Sequence, residues 1–165
     1  MSMPSRKILL DTNVWLDKYI PTRPGAETAR QLLSACVMSD AAVLFPLRAL
    51  NDVYWQVKRH AKTWIRDAYG DITEAFAAAA DTGAWECIDN MMELGAPIGA
   101  DVTDVWTAQR LRSVHADFED DMVVAAAKRA EVDYLVTSDR QLIYKATVPA
   151  LTPQDMLALL RAEAV

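Results

Sequence analysis

The chain has 165 residues, 52% of them hydrophobic and 24% charged, a length that suits one compact domain with a sizeable buried core. Its 17 basic and 23 acidic side chains give a net charge of −6. This charge argues against a broadly basic nucleic-acid-binding protein, but it allows a nuclease whose acidic site binds metal ions.

Cys36 and Cys87 show no CxxC spacing, so we expect reduced thiols and a cytoplasmic location. The apolar run 8–10 stops at Asp11, and no run approaches the roughly 20 residues that span a bilayer, so we expect neither a signal peptide nor membrane association.

The first 95 residues alternate short apolar runs with helical patterns. Apolar runs that stop at a charged residue or a proline predict buried strands over 7–11 and 41–45. Apolar side chains at helical spacing predict helices over 27–38 and from 47 to about 64. Residues 65–95 are Ala-rich and helical in propensity, and we expect interruptions near Gly70 and Gly83.

The remaining residues continue the alternation. Helices are predicted over 101–112, with Asp101 or Thr103 as N-cap, over 119–131, and from 154 to about 161. Strands are predicted over 133–137 and around 147–148. Strands that alternate with helices indicate a parallel sheet covered on both faces. We therefore expect residues 1–165 to form a single α/β domain.

Carboxylates from distant segments are predicted to meet at one edge of this sheet. Two predicted strands lead directly to an aspartate, Asp11 and Asp139. The helix that begins in the acidic run 117–121 and the helix that carries Asp52 both start near the same edge. In an open parallel sheet, this carboxyl edge is where ligands bind.

Gathering several carboxylates requires a counter-charge. Ionised carboxylates within about 4–6 Å raise one another's pKa, and a hard divalent cation removes that penalty. Carboxylate oxygens favour Mg²⁺ or Mn²⁺, and with His60 and His115 as the only histidines, zinc is disfavoured. A carboxylate-held metal pair can activate water for phosphodiester hydrolysis.

Three motifs then show a family resemblance. The segment Leu9-Leu10-Asp11-Thr12-Asn13-Val14 resembles the opening strand motif of PIN-domain nucleases. The acidic run 117–121, followed by three alanines, is similar to their third acidic motif, and 134–139 resembles the fourth. The order and separations fit over nearly the whole chain. The resemblance implies a three-layer α/β/α PIN-like fold with a central parallel sheet and a metal-dependent ribonuclease, commonly the toxin of a toxin–antitoxin pair.

The resemblance also implies roles for individual residues. Asp11, Asp120 and Asp139 would be metal ligands, with Asp121 a rival to Asp120 and Glu119 ranked below both. Asn13 would orient Asp11. The second acidic position usually carries Glu, whereas this chain has Asn51-Asp52; Asp52 fits the register with a shorter side chain. Supporting roles are expected for Thr12, Thr137 and Ser138.

Substrate and partner contacts are less specific. Arg140 beside Asp139, together with Lys58 and Lys62, are candidates for RNA contact, although the two lysines also suit the solvated face of a helix. The family often forms homodimers and binds a small antitoxin protein, so the resemblance implies both. One alternative is a catalytically impaired PIN-like domain that acts as an RNA- or protein-binding scaffold. Another is a receiver-type phosphotransfer domain using Lys145.

Overall fold

A computed structural model describes residues 6–114 and 117–164, and within them five parallel strands form one sheet. The strands are β1 (Lys7–Leu10), β2 (Ala42–Pro46), β3 (Ala96–Ile98), β4 (Tyr134–Val136) and β5 (Ala150–Leu151). Their order across the sheet is β3-β2-β1-β4-β5. The helices are α1 (Thr12–Tyr19), α2 (Ala26–Met38), α3 (Arg48–Tyr69), α4 (Glu74–Leu94), α5 (Val102–Leu111), α6 (Phe118–Arg129), α7 (Arg140–Lys145) and α8 (Pro153–Glu163).

Two apolar clusters cover the two faces of the sheet. Ile8 and Leu10 of β1 lie in the cluster that includes side chains of α1, α2, α3 and α8. Leu9, between them, packs with residues of α6 and α7 on the other face. Successive residues of a strand point to opposite faces, so β1 is buried on both sides. The predicted three-layer α/β/α fold with a central parallel sheet is confirmed.

Several predicted boundaries were wrong. Gly83 does not interrupt α4, because a single glycine costs a helix only about 1 kcal/mol and its Ala-rich neighbours favour helix strongly. Gly70 does end α3, at a φ of 86°, a backbone conformation that suits glycine. The last strand lies at 150–151, not around 147–148.

Three elements were not predicted, namely α1, β3 and α7. In α1, Val14, Trp15 and Leu16 are all buried, so the apolar residues run consecutively and the helical period is hidden. The strand β3 is three residues long and contains Pro97, a residue that argues against a strand.

Two acidic side chains, Asp17 and Asp104, are buried. The Asp17 carboxylate pairs with Arg23 at 2.6 Å. Asp104 is 1% exposed and accepts from Arg129 Nε and Nη2 at 2.9 Å each, which ties α5 to α6. It is also part of the capping box at the start of α5, where Asp101, not Thr103, is the N-cap.

No helix within the described ranges combines the length and the apolar character that crossing a membrane requires.

Candidate active site

The site is built where the carboxyl ends of β1 and β4 meet. Leu10 pairs with Val136 across the two parallel strands, and the Asp11 N–H donates to the Val136 carbonyl at 2.9 Å. The chain passes from β1 to β2 and β3 through helices on one face and from β3 to β4 through α6 on the other. The crevice between β1 and β4 is therefore the topological switch point, where open α/β sheets bind ligands.

Asp11 is held rigidly at this crevice. It is the N-cap of α1, and its Oδ1 accepts from the Thr12 N–H at 2.7 Å. Its Oδ2 accepts from the Thr137 hydroxyl at 2.8 Å and from Asn13 Nδ2 at 3.1 Å. The side chain is only 9% exposed. Three donors thus fix both oxygens of one carboxylate.

Asn13 and Thr137 link the two strand ends. Asn13 Nδ2 also donates to Thr137 Oγ1 at 2.9 Å, and Asn13 Oδ1 accepts from the Ser138 N–H at 3.1 Å. The Asp139 N–H donates to Thr137 Oγ1 at 3.1 Å. The structure thus places Asn13, Thr137 and Ser138 around Asp11.

The Asp11 carboxyl has a raised pKa. Burial is the largest cause, and the nearby Asp139 carboxylate adds to it. The hydrogen bonds from Thr137 and Thr12 and the positive charge of Arg48 oppose the rise. Burial therefore penalises the ionised form of Asp11, and a further positive charge would stabilise that form.

An acidic cleft of about 380 Å³ opens beside Asp11. Its lining includes four carboxylate side chains: Asp11, Asp52, Glu119 and Asp120. Thr12, Arg48 and Gln56 also line it. Of the two rival aspartates in α6, Asp120 lines this cleft, whereas Asp121 is 3% exposed within the helix. We call this feature the acidic cleft.

Arg48, the first residue of α3, lies among these acids. Its Nη2 is 3.2 Å from Asp52 Oδ2, and its Nη1 is 3.0 Å from Glu119 Oε1. The hydrogen bond to Glu119, above all, raises the pKa of the Arg48 guanidinium, so this side chain is always charged. The acidic cleft therefore contains a positively charged side chain, the Arg48 guanidinium, which links α3 to α6.

The acids of the cleft do not form a ready-made metal site in this structure. Within 6–114 and 117–164, no three His, Cys, Asp or Glu side chains are grouped closely enough to hold a metal ion. Asp139 caps α7, where its Oδ1 accepts from the N–H groups of Gln141 and Leu142 at 2.8 and 3.2 Å. His115 lies outside the described residues. The expected ligation by Asp11, Asp120 and Asp139 stays a prediction.

The expected RNA-contact residues lie in different settings. Lys58 forms an ion pair with Asp81 of α4, and its Nζ lies 5.6 and 5.4 Å from the ring centroids of Tyr54 and Trp55. Lys62 contributes to lowering the pKa of the same Asp81. Arg140 is exposed at the start of α7, next to Asp139. Lys58 and Lys62 therefore help to join α3 to α4.

Sequence reasoning missed Arg48 and Gln56 and ranked Glu119 below Asp120. The signal for Gln56 was its position one helical turn after Asp52, on the same face of α3. Arg48 lies one helical turn before Asp52 and carried the same kind of local signal, but its second partner, Glu119, is distant in the chain.

With this geometry established, the comparisons identify the family: residues 7–141 match the PIN domain, and the chain belongs to that family of nucleases. Two solved structures show a similar fold. One is VapC20 of Mycobacterium tuberculosis, described as a toxin that cleaves the sarcin-ricin loop, with a TM-score of 0.55, 11% identity, and 83% of this chain and 93% of that chain covered. The other is PAE2754 of Pyrobaculum aerophilum, with a TM-score of 0.52, 16% identity, and 95% and 96% covered. No curated protein matches the chain.

Proposed function

We propose that this protein is a metal-dependent endoribonuclease that hydrolyses RNA phosphodiester bonds at the acidic cleft. The observation that carries the proposal is the approach of Asp11, Asp52, Glu119 and Asp120 to one cleft at the carboxyl edge of the sheet. Membership of a nuclease family supports the reaction class.

The donor set suits Mg²⁺ or Mn²⁺. The side-chain atoms of the acidic cleft that can ligate a metal ion are oxygens, and most of them belong to carboxylates. Hard divalent cations prefer such ligands. The buried Asp11 carboxyl, with its raised pKa, gains the most from a nearby positive charge. We propose that Asp11, Asp120 and Asp139 hold the ion, which when bound supplies an activated water and stabilises charge on the phosphate.

The remaining residues position these acids. Asn13, Thr137 and the Thr12 N–H fix the Asp11 carboxylate at the switch point. The N–H groups of Glu119 and Asp120 donate to the N-cap Asp117 at 2.9 and 3.2 Å, which sets the first turn of α6. Asp52 and Glu119 orient Arg48.

The test compares cleavage of a single-stranded RNA by the full chain with Mg²⁺, with Mn²⁺, and with excess EDTA. Asp11→Asn and Asp120→Asn should each abolish metal-dependent cleavage, because each removes a charge while keeping the shape. Asp89→Asn is the matched control, since Asp89 is exposed on α4. Equal cleavage by Asp11→Asn and the unaltered protein would contradict the assignment.

A second candidate function is a scaffold without catalysis. It is favoured by the second acidic position, where Asp52 is shorter than the usual Glu and is paired with Arg48. A calorimetric Mn²⁺ titration separates the two functions. No binding at millimolar Mn²⁺ would support the scaffold and contradict the nuclease.

We further propose that the chain is a toxin that acts in the cytoplasm, forms homodimers and is inhibited by a small antitoxin protein. The description of VapC20 as a toxin that cleaves an RNA loop supports both the RNA substrate and the toxin role. Expression of the chain alone should arrest growth, and co-expression of the small protein encoded beside it should restore growth. Growth unaffected by the chain would contradict the toxin role.

A further inference from the structure

A second cavity, of about 450 Å³, adjoins the acidic cleft. Arg48, Glu119 and Val123 line both spaces, so the two lie side by side. The walls of this cavity are mainly apolar, with Leu47, Ile98, Phe118, Met122 and Val123 among them. Its volume lies in the range of about 300–1,000 Å³ that is typical of small-ligand sites. We call this space the apolar cavity.

The apolar cavity presents groups suited to a flat aromatic ligand. Phe118, in the first turn of α6, is 59% exposed, and Leu47 is 50% exposed. Aromatic side chains stack on the faces of unpaired nucleobases without requiring a particular sequence. The exposed amide of Asn51, which also lines the cavity, offers both a donor and an acceptor to the polar edge of a base.

Arg48 supplies the complementary charge at the junction of the two spaces. Its guanidinium has five N–H donors, and two of its nitrogens contact Asp52 and Glu119. These two carboxylates hold it from α3 and α6, which orients the group before a ligand arrives. A planar guanidinium recognises phosphate oxygens through paired hydrogen bonds.

We propose that the apolar cavity and Arg48 together bind one unpaired nucleotide of the RNA, with the base against Phe118 and a backbone phosphate at Arg48. This inference rests on the proposed function, because it names the part of the substrate that lies beside the cleaved bond. It makes Phe118 a base-stacking residue and Arg48 a phosphate-binding residue.

The test measures binding without cleavage. The full chain, in EDTA, is titrated with the four ribonucleosides, the four nucleoside 5′-monophosphates and ribose 5-phosphate, and backbone amide shifts are followed by NMR. Nucleosides and nucleotides should shift the amides of Leu47, Gly99, Phe118 and Met122, whereas ribose 5-phosphate should not. Phe118→Ala should raise the dissociation constant of a nucleoside by about five- to a hundredfold, the loss of one stacking contact.

The variants separate the two halves of the subsite. Phe118→Leu should lose most of the nucleoside affinity and Phe118→Trp should keep it, because the aromatic face is what the base contacts. Arg48→Gln should weaken binding of a nucleoside 5′-monophosphate while leaving nucleoside binding unchanged. Trp106→Ala is the control, since Trp106 is 55% exposed on α5 and does not line this cavity.

Two results would overturn the inference. One is nucleoside binding that Phe118→Ala and Phe118→Leu leave within twofold of the unaltered protein. The other is the absence of nucleoside-induced shifts at the cavity residues. Nucleotide binding without RNA cleavage would instead contradict the proposed function alone, and cleavage without nucleotide binding would contradict this inference alone.

Discussion

Replacing Arg48 by glutamine should tighten metal binding at the acidic cleft. The substitution keeps most of the side-chain length but removes the positive charge that Asp52 and Glu119 now share. A divalent cation at the proposed ligands Asp11 and Asp120 meets a weaker negative charge, because Arg48 neutralises Asp52 and Glu119 in the same cleft. In Arg48→Gln, these two acids keep their full negative charge and attract the ion more strongly.

The size of the change in Mn²⁺ affinity follows from how exposed the two ion pairs of Arg48 are. The side chains of Arg48, Asp52 and Glu119 are 43%, 33% and 66% exposed, so each ion pair contributes about 0.2–1 kcal/mol. Two such pairs correspond to about 0.4–2 kcal/mol, or about a 2- to 30-fold lower dissociation constant for Mn²⁺.

Isothermal titration of the metal-free proteins with Mn²⁺ measures this change. Arg48→Lys should bind Mn²⁺ within about twofold of the unaltered protein, because its charge remains near the acids. Arg30→Gln is the matched control, since Arg30 pairs with Glu27 on the surface of α2. An affinity for Mn²⁺ that Arg48→Gln leaves unchanged or weakens would refute this effect of the Arg48 charge.

Three further predictions concern stability and reactivity. Because burial raises the pKa of Asp11 in the folded protein, its ionisation costs stability as the pH rises above about 4; urea denaturation of the metal-free protein should therefore show that the stability of Asp11→Asn relative to the unaltered protein increases from about pH 4 to about pH 7. Asp104→Ala should lower the free energy of unfolding by about 1.5–3 kcal/mol, because it removes the hydrogen bonds that this buried carboxylate accepts from Arg129 and from the Asp101 N–H; a loss below about 1 kcal/mol in the same assay would contradict this. Cys36 is buried with a pKa of about 12, so iodoacetamide should modify only Cys87 in the native protein, as mass spectrometry would show.

The sequence predicted the parts of the fold that repeat a local pattern. An apolar run predicted the strand β1. Acidic residues in the first turn and basic residues in the last turn predicted the helix α6. The motif around Asp11 located the crevice because parallel strands end at one edge.

The parts that local patterns could not predict depend on contacts between distant residues. Arg48 is held in the acidic cleft partly by Glu119 of α6, which is separated from α3 by two helices and one strand. The burial of Asp104 depends in the same way on Arg129 of the next helix. A charged residue in the sequence shows its sign but not its distant partner, so local patterns could not predict either of these contacts.

The network around Asn13 has a consequence for how the protein tolerates change. The Asn13 amide joins the ends of β1 and β4, because it forms hydrogen bonds with Asp11, with Thr137 and with the Ser138 backbone. A displacement of either strand end is thereby passed to the Asp11 carboxylate. Substitutions in the core beneath β4 should therefore reduce activity at the crevice before they unfold the protein. Activity should thus be more sensitive than stability to small displacements within the sheet.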